Sequence, residues 1–246
     1  MSDTGWRKLP WSEDVEAWAL QASKFADQAL TDPALDYWYR CERTWFAGVD
    51  CLENDQKGVL PDGTLWPGSL SEHIPPLPLH NAQVSALFPG YPKAMETDSP
   101  GAARYRLMRD AAHVDGLLPT GPERRRKLKE PHAYILGIPL TDTPSDASPL
   151  VVWEGSHHIM AKAFGDALRP HDPKDWDEVD LTDTYHAARR ECFDTCLRRE
   201  VSARPGEAIL LHRHLLHGMA PWRAPEGPPR IVAYFRPQGA IVDWLD

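Results

Sequence analysis

The stretch Ala111-Ala112-His113-Val114-Asp115-Gly116 holds an imidazole and a carboxylate two residues apart. In an extended segment such a pair points to one side of the backbone. A second imidazole, His217, stands far downstream and is followed by Gly218, with Arg230 further on. Two imidazoles and one carboxylate on the same face of a metal leave its opposite face open. That is the usual setting of non-haem Fe(II) that activates O2. Arg230 adds a permanently charged fork that matches a carboxylate with two hydrogen bonds. Taken alone, His113 and Asp115 also read as a structural hydrogen-bonded pair. The surroundings must decide.

The pattern of elements supplies those surroundings. Residues 12–30 form an amphipathic helix, with Ser12 as N-cap and one apolar stripe through Val15, Trp18, Ala22 and Ala26. Asp32-Pro33 starts a shorter helix to about Arg43. Residues 54–78 are loop, rich in Gly, Pro and acids, with one short helix near Ser69–Ile74. Short strands follow: Ala82–Phe88, Arg104–Ala112 running into the His-x-Asp triplet, His132–Leu140, and Pro149–Trp153 closed by Gly155-Ser156-His157. Residues 161–180 read as an acidic insertion, and Thr182 caps a helix through Tyr185 and Cys192. The last third returns to strands at Glu200–Ala203, Ala208–His212, Leu215–His217 and Arg230–Phe235. Because His212 and His217 differ by an odd number, a turn or bulge must lie between them if both approach one site.

Helices first and strands afterwards, with no strand–helix–strand alternation and no Gly-rich phosphate loop, exclude a doubly wound nucleotide-binding fold. The expectation is a mainly β chain with flanking helices: a jelly-roll core, with the N-terminal helices packed on one outer side. It is read as a single domain over 1–246. Within it, 1–80 is a helical and loop part and 81–246 a jelly-roll core, with a helical insertion near 160–196. The 24 Pro and 16 Gly suit many turns and strand edges. No apolar run approaches the ~18 residues that span a membrane, and Met1-Ser2-Asp3-Thr4 has no leader pattern, so a cytoplasmic protein is expected. The net charge of −9 argues against a nucleic-acid partner. Cys41, Cys51, Cys192 and Cys196 form no Cys-x-x-Cys pair and read as free thiols. Nothing in the sequence sets an oligomeric state.

The order of these features over roughly residues 100–237 resembles the phytanoyl-CoA dioxygenase-like family of Fe(II)- and 2-oxoglutarate-dependent oxygenases. The resemblance rests on His113-Val114-Asp115, the strand His132–Pro139, Gly155-Ser156-His157, Pro205-Gly206-Glu207 leading to Leu211-His212, His217-Gly218, and Arg230. It implies a double-stranded β-helix core, Fe(II) on His113, Asp115 and His217, and 2-oxoglutarate as co-substrate with its far carboxylate on Arg230. It also implies O2 as oxidant, release of succinate and CO2, and hydroxylation of a small molecule. An acidic residue at Asp115, where related halogenases have a small one, favours hydroxylation over halogenation. Three departures stand beside the match. Met219 occupies the position of a frequent Ser, and Ala220-Pro221-Trp222-Arg223 replaces a frequent Asn. The gap from His217 to Arg230 is long, which leaves Arg223 and Arg236 as alternative partners for the co-substrate.

Further candidates surround this set. The run Arg124-Arg125-Arg126-Lys127 is either a solvated loop or the receiver of an anionic substrate. Trp153 and Trp222 line a pocket or pack in the core. His157 contacts substrate or belongs to a turn stabilised by Ser156. His212 and His214 are packing or supporting residues, although their spacing alone also suits a metal. Two other functions remain open on sequence: a jelly-roll binding protein without turnover, and a cupin-like metalloenzyme that uses no 2-oxoglutarate.

Overall fold

The computed structural model describes residues 3–245, so Met1 and Ser2, part of the stretch read for a leader, lie outside it. In chain order the elements are β1 (Trp6–Leu9), α1 (Glu13–Thr31), a 3-10 turn (Pro33–Trp38), β2 (Tyr39–Arg40), β3 (Trp45–Leu52), α2 (Gly68–Ser71) and β4 (Ala82–Leu87). Next come α3 (Pro100–Met108), β5 (Leu117–Thr120), β6 (Arg125–Leu128), β7 (Tyr134–Pro139), β8 (Leu150–Glu154) and α4 (Ser156–Leu168). A 3-10 turn (Pro173–Glu178), α5 (Thr182–Thr195), β9 (Leu197–Val201), β10 (Ala208–His212), β11 (His217–Met219), β12 (Arg230–Phe235) and a last 3-10 turn (Ile241–Asp243) complete the order.

Two antiparallel sheets face each other. The larger runs β1-β10-β7-β12-β4-β3-β2 and the smaller β11-β8-β9, with β5-β6 as a separate hairpin. The alternation of side chains along each strand builds the layers. In β12, Ile231, Ala233 and Phe235 face outward and pack with the α1 stripe of Val15, Trp18, Ala22 and Ala26. Val232 and Tyr234 face inward and meet Leu150 and Val152 of β8 and Ile209 and Leu211 of β10. On the far side, α4 and α5 bury Met160, Phe164, Tyr185 and Cys192 against Val151 and Trp153 of the small sheet. Both sheets are therefore covered, and the core is a double-stranded β-helix. The N-terminal helix α1 packs on one outer side as expected, and α4 and α5, from the expected helical insertion, cover the other.

Several elements differ from their sequence reading. Residues 104–112 are not a strand: Ser99 accepts a hydrogen bond from the Ala102 amide, Pro100 opens the helix, and α3 runs to Met108. The alternation Arg104-Tyr105-Arg106-Leu107 imitates a strand, but α3 lies on the surface with no fully buried residue, so its pattern carries no helical stripe. Gly155-Ser156-His157 follows the end of its strand as expected, but it opens a helix rather than a turn stabilised by Ser156. Gly155 (φ +82°) is the N-cap of α4, and Ser156 Oγ accepts from the Leu216 amide, tying the helix to the approach to His217. Thr182 is the first residue of α5 rather than its cap. Its hydroxyl accepts from the Arg126 amide and donates to Asp180. The loop expected at 119–127 is the β5–β6 hairpin. The first eighty residues are not only helix and loop, since β1 pairs with β10 and β3 with β4. The short helix after Asp32 is a 3-10 turn. Among the described residues no helix is long and apolar enough to cross a membrane, and all four cysteines are free.

Candidate metal centre

His113 does not end a strand. It follows a turn in which Asp110 and Ala111 take positive φ. That turn is clamped from both ends. The buried Asp110 carboxylate is gripped through both oxygens by Arg198, at 2.8 Å each. The Asp110 carbonyl accepts from the Met219 amide at 2.8 Å. The two imidazole-bearing residues then pair directly: the His113 amide donates to the His217 carbonyl at 2.8 Å, and the His217 amide donates back at 3.0 Å. Gly218 permits the approach, because a Cβ there would lie 2.1 Å from the Asp110 carbonyl oxygen. Between His212 and β11 the chain makes the turn that their odd spacing required.

The ligand atoms are prepared by their neighbours. Nδ1 of His113 lies 3.0 Å from the Ala111 carbonyl and Nδ1 of His217 lies 2.9 Å from the Leu215 carbonyl. A carbonyl only accepts, so each Nδ1 carries the proton. Metal-binding histidines are commonly oriented in this way, with Nε2 as the donor. One ligand atom each from His113, Asp115 and His217 lies within 4.8 Å of the others. Asp115 Oδ1 sits 3.2 Å from His113 Nε2, close to the roughly 3 Å edge between neighbouring ligands on a metal about 2.1 Å from each. The side chains of Asp115 and His217 are 13% and 7% exposed, whereas that of His113 is 42% exposed, so the site opens on the His113 side.

Charge follows the geometry. Burial disfavours the Asp115 anion, but Arg236, the His113 hydrogen bond and the two imidazoles outweigh it and hold the carboxyl well below its usual range. Burial is the chief cause that pushes His217 down to about 4. At neutral pH the site therefore offers an ionised carboxylate and a neutral imidazole, the forms that bind a metal. These donors, one O and two N on a single face, fit Fe(II).

The triad opens into a cavity of about 1010 Å3, whose walls include Trp45, Gln83, Arg126, Met219 and Arg236. Leu150 and Tyr234 line this cavity and also a narrow cleft that runs into the space between the sheets. Arg230 stands in that cleft, on the inward face it shares with Val232 and Tyr234, and its Nη1 is buried with no hydrogen-bond partner among the described residues. An unpaired buried guanidinium nitrogen is costly, and a carboxylate reaching down the cleft would satisfy it. The alternatives are already engaged. Arg223 pairs with Glu200 at 2.6 Å and Asp146 at 3.5 Å, and Arg236 pairs with Asp115 at 2.5 Å.

Of the remaining candidates, Arg126 and Met219 line the cavity. The others stand elsewhere. Arg124 is exposed, and Arg125 pairs with Glu123 and Asp180. Trp153 is buried against Phe193 on the outer face of the small sheet, and Trp222 packs beside Met219 and Tyr91. His157 and His212 stack at 4.9 Å beside His158 and His214 and line neither cavity nor cleft. Sequence reasoning passed over Gln83 and Ser85. Their signal was available: in Ala82–Leu87 they are the polar residues of an otherwise apolar strand, and they alternate.

The histidine group predicts an acid response of its own. Burial first, then the neighbouring imidazole, pushes His157 down to about 4, and His212 falls to about 3 for the same reasons. Below pH 6.5 the unfolded chain binds protons that the folded histidines refuse, so stability is lost as pH falls from 6.5 toward 4. At pH 5 His157 alone should cost about 2 kcal/mol relative to pH 7.5. Urea denaturation of metal-free protein at the two pH values measures this; equal stabilities would contradict it.

No protein-family model matches the sequence, and no curated protein matches it. Solved structures match in fold. The epimerase SnoN, crystallised with Fe3+, alpha ketoglutarate and nogalamycin RO, superposes with a TM-score of 0.53 at 18% identity, over 99% of this chain and 85% of its own. The non-heme alpha ketoglutarate dependent carbocyclase SnoK, from nogalamycin biosynthesis, gives 0.50 at 14% identity, over 95% and 79%. The chain thus shares the double-stranded β-helix fold of these non-haem iron enzymes.

Proposed function

We propose that this protein is an Fe(II)- and 2-oxoglutarate-dependent dioxygenase that hydroxylates a small molecule. One observation carries the reading. The His113–Asp115–His217 cluster opens into a cavity that shares its Leu150 and Tyr234 wall with a cleft, and the unpaired Nη1 of Arg230 stands in that cleft. His113, Asp115 and His217 would hold the metal, and Arg230 would take the far carboxylate of the co-substrate. With 2-oxoglutarate and O2, such iron supplies an oxidant for substrate C–H bonds, with succinate and CO2 released.

The chain's own residues do the rest. The apolar wall of Leu150, Val232 and Tyr234 excludes water from the cleft, so that the Arg230 charge acts in a low-dielectric setting. The large cavity receives the substrate. Arg126 lines it with Nη1 on the Leu117 carbonyl and forms no carboxylate ion pair among the described residues, so an anionic substrate group suits it. SnoN and SnoK are described as an epimerase and a carbocyclase; hydroxylation is the outcome favoured here.

Anaerobic titration of the Fe(II)-loaded protein with 2-oxoglutarate tests the reading. The wild type should develop the weak visible charge-transfer band of a chelated 2-oxo acid, and His113→Ala should not. Arg230→Met should weaken 2-oxoglutarate by roughly 30- to 150-fold, the loss of a charge-assisted pair worth about 2–3 kcal/mol. A wild type without the band, or an Arg230→Met protein with unchanged affinity, would contradict the reading.

A further inference from the structure

Buried Asp110 and half-buried Asp115 are each paired with an arginine, yet the two pairs are built differently. Arg198 takes both oxygens of Asp110, through Nε and Nη2 at 2.8 Å each. Arg236 takes one oxygen of Asp115, with Nε 2.5 Å from Oδ2. Its Nη1, on the opposite edge of the guanidinium, donates to the side-chain carbonyl of Gln83, also at 2.5 Å. Oδ1 stays free of the guanidinium and faces His113 Nε2.

This one-oxygen grip is held firmly. The Arg236 amide donates to His80 Nε2 at 2.8 Å, and His132 Nδ1 donates to the Arg236 carbonyl at 3.0 Å. The guanidinium carbon lies 5.3 Å from the centre of the Tyr234 ring. The backbone is fixed from two sides and the side chain from two more. A guanidinium facing a carboxylate tends to fork onto both oxygens, through Nε and Nη2 in the Arg198 pair; here the Gln83 bond on the opposite nitrogen, Nη1, fixes the tilt of the guanidinium with Nε alone on Asp115.

We propose that Arg236 is a positioning residue that makes Asp115 a one-oxygen metal ligand. Resting on the metal reading above, this assigns Oδ2 to Arg236 and Oδ1 to the metal. Asp115 then cannot chelate with both oxygens, and three positions of an octahedral ion remain for co-substrate and O2. Gln83 is the second part of the device, because it keeps the guanidinium from claiming Oδ1.

Substitutions at the two positions should fail in opposite ways, each read without turnover. Fe(II) affinity is measured by competition with a chromophoric chelator, and 2-oxoglutarate affinity by the anaerobic charge-transfer band. Arg236→Met removes the donor and frees Oδ2. Because the freed Oδ2 would join Oδ1 on the metal and offset the roughly 10-fold loss of support, Fe(II) should bind within about threefold of the wild type; one position fewer would be left for the co-substrate, so 2-oxoglutarate should bind at least roughly 10-fold more weakly. Arg236→Gln places an amide nitrogen the same number of bonds from Cα as Nε, and should restore 2-oxoglutarate affinity to within about threefold. Gln83→Leu releases the Nη1 end, so the guanidinium can tilt until Nη2 joins Nε on Asp115 as in the Arg198 pair, and should weaken Fe(II) itself at least roughly 10-fold.

Unchanged 2-oxoglutarate affinity in Arg236→Met overturns the proposal, as does unchanged Fe(II) affinity in Gln83→Leu. If Arg236→Met does not fold, the Gln83→Leu result decides alone. A wild type that binds no Fe(II) refutes the metal reading itself and is thereby distinguished from a wild type that binds Fe(II) with both variants unaffected.

Discussion

Replacing Asp115 with Ala is expected to weaken Fe(II) binding by more than about 100-fold and to destabilise the metal-free protein as well. The first effect exceeds the 10- to 100-fold cost of disturbing a residue that merely supports a ligand. The second follows from Arg236, which would keep its half-buried position at 17% side-chain exposure while losing its counter-charge. Breaking a buried pair from one side costs about 3–5 kcal/mol, and partial exposure reduces that here to about 2–3. For a chain of this size the metal-free Tm should fall by roughly 4–10 °C. Calorimetry in the presence of chelator reads stability and chelator competition reads the metal. An Asp115→Ala protein with unchanged metal-free Tm would show that Arg236 does not depend on this carboxylate.

Gly218→Ala should be nearly as damaging, although it alters no ligand and adds one methyl group. The added Cβ would meet the Asp110 carbonyl at 2.1 Å and the Ala112 backbone at 3.1 Å. The Asp110 segment cannot retreat freely, because Arg198 holds its carboxylate and the Met219 amide holds its carbonyl. Overpacking costs about 1–3 kcal/mol and a broken buried backbone hydrogen bond about 1–3 more, so a loss of about 3 kcal/mol is expected. His113 and His217 are bonded across this contact and would move apart, weakening Fe(II) at least 10-fold. Gly101→Ala is the control: it lies in α3, where an added Cβ has no neighbour closer than 3.9 Å. That variant should keep both stability and metal affinity.

The legible parts of the fold were those where local pattern and final environment agree. The α1 stripe faces a sheet, and β10 and β12 alternate between two buried layers, so their periods survive in the text of the chain. Elements that fail this condition were misread. In α3 surface residues alternate by type without facing a core, and the start of α4 looks like a turn because Gly155 and Ser156 are turn residues that here begin a helix. In β3 the alternation is interrupted by a register shift between Gly48 and Leu52.

At the site, residue types made His113, Asp115, His217 and Arg230 readable. The role of Arg236 was not, although the period of β12 runs on to it. What distinguishes Arg230 from Arg236 is which partners arrive from elsewhere: among the described residues none at Nη1 of the first, Asp115 and Gln83 at the second. Such partners are fixed by sheet order rather than by sequence spacing.

On this reading the triad and Arg230 serve one bound pair, metal and co-substrate. Anomalous diffraction at the iron edge, from crystals grown anaerobically with Fe(II) and 2-oxoglutarate, tests it most directly. One peak is expected about 2.1 Å from His113 Nε2, Asp115 Oδ1 and His217 Nε2, with ligand density running past Leu150 and Tyr234 to Arg230. A peak elsewhere, or a co-substrate carboxylate that ends on any residue but Arg230, would contradict it.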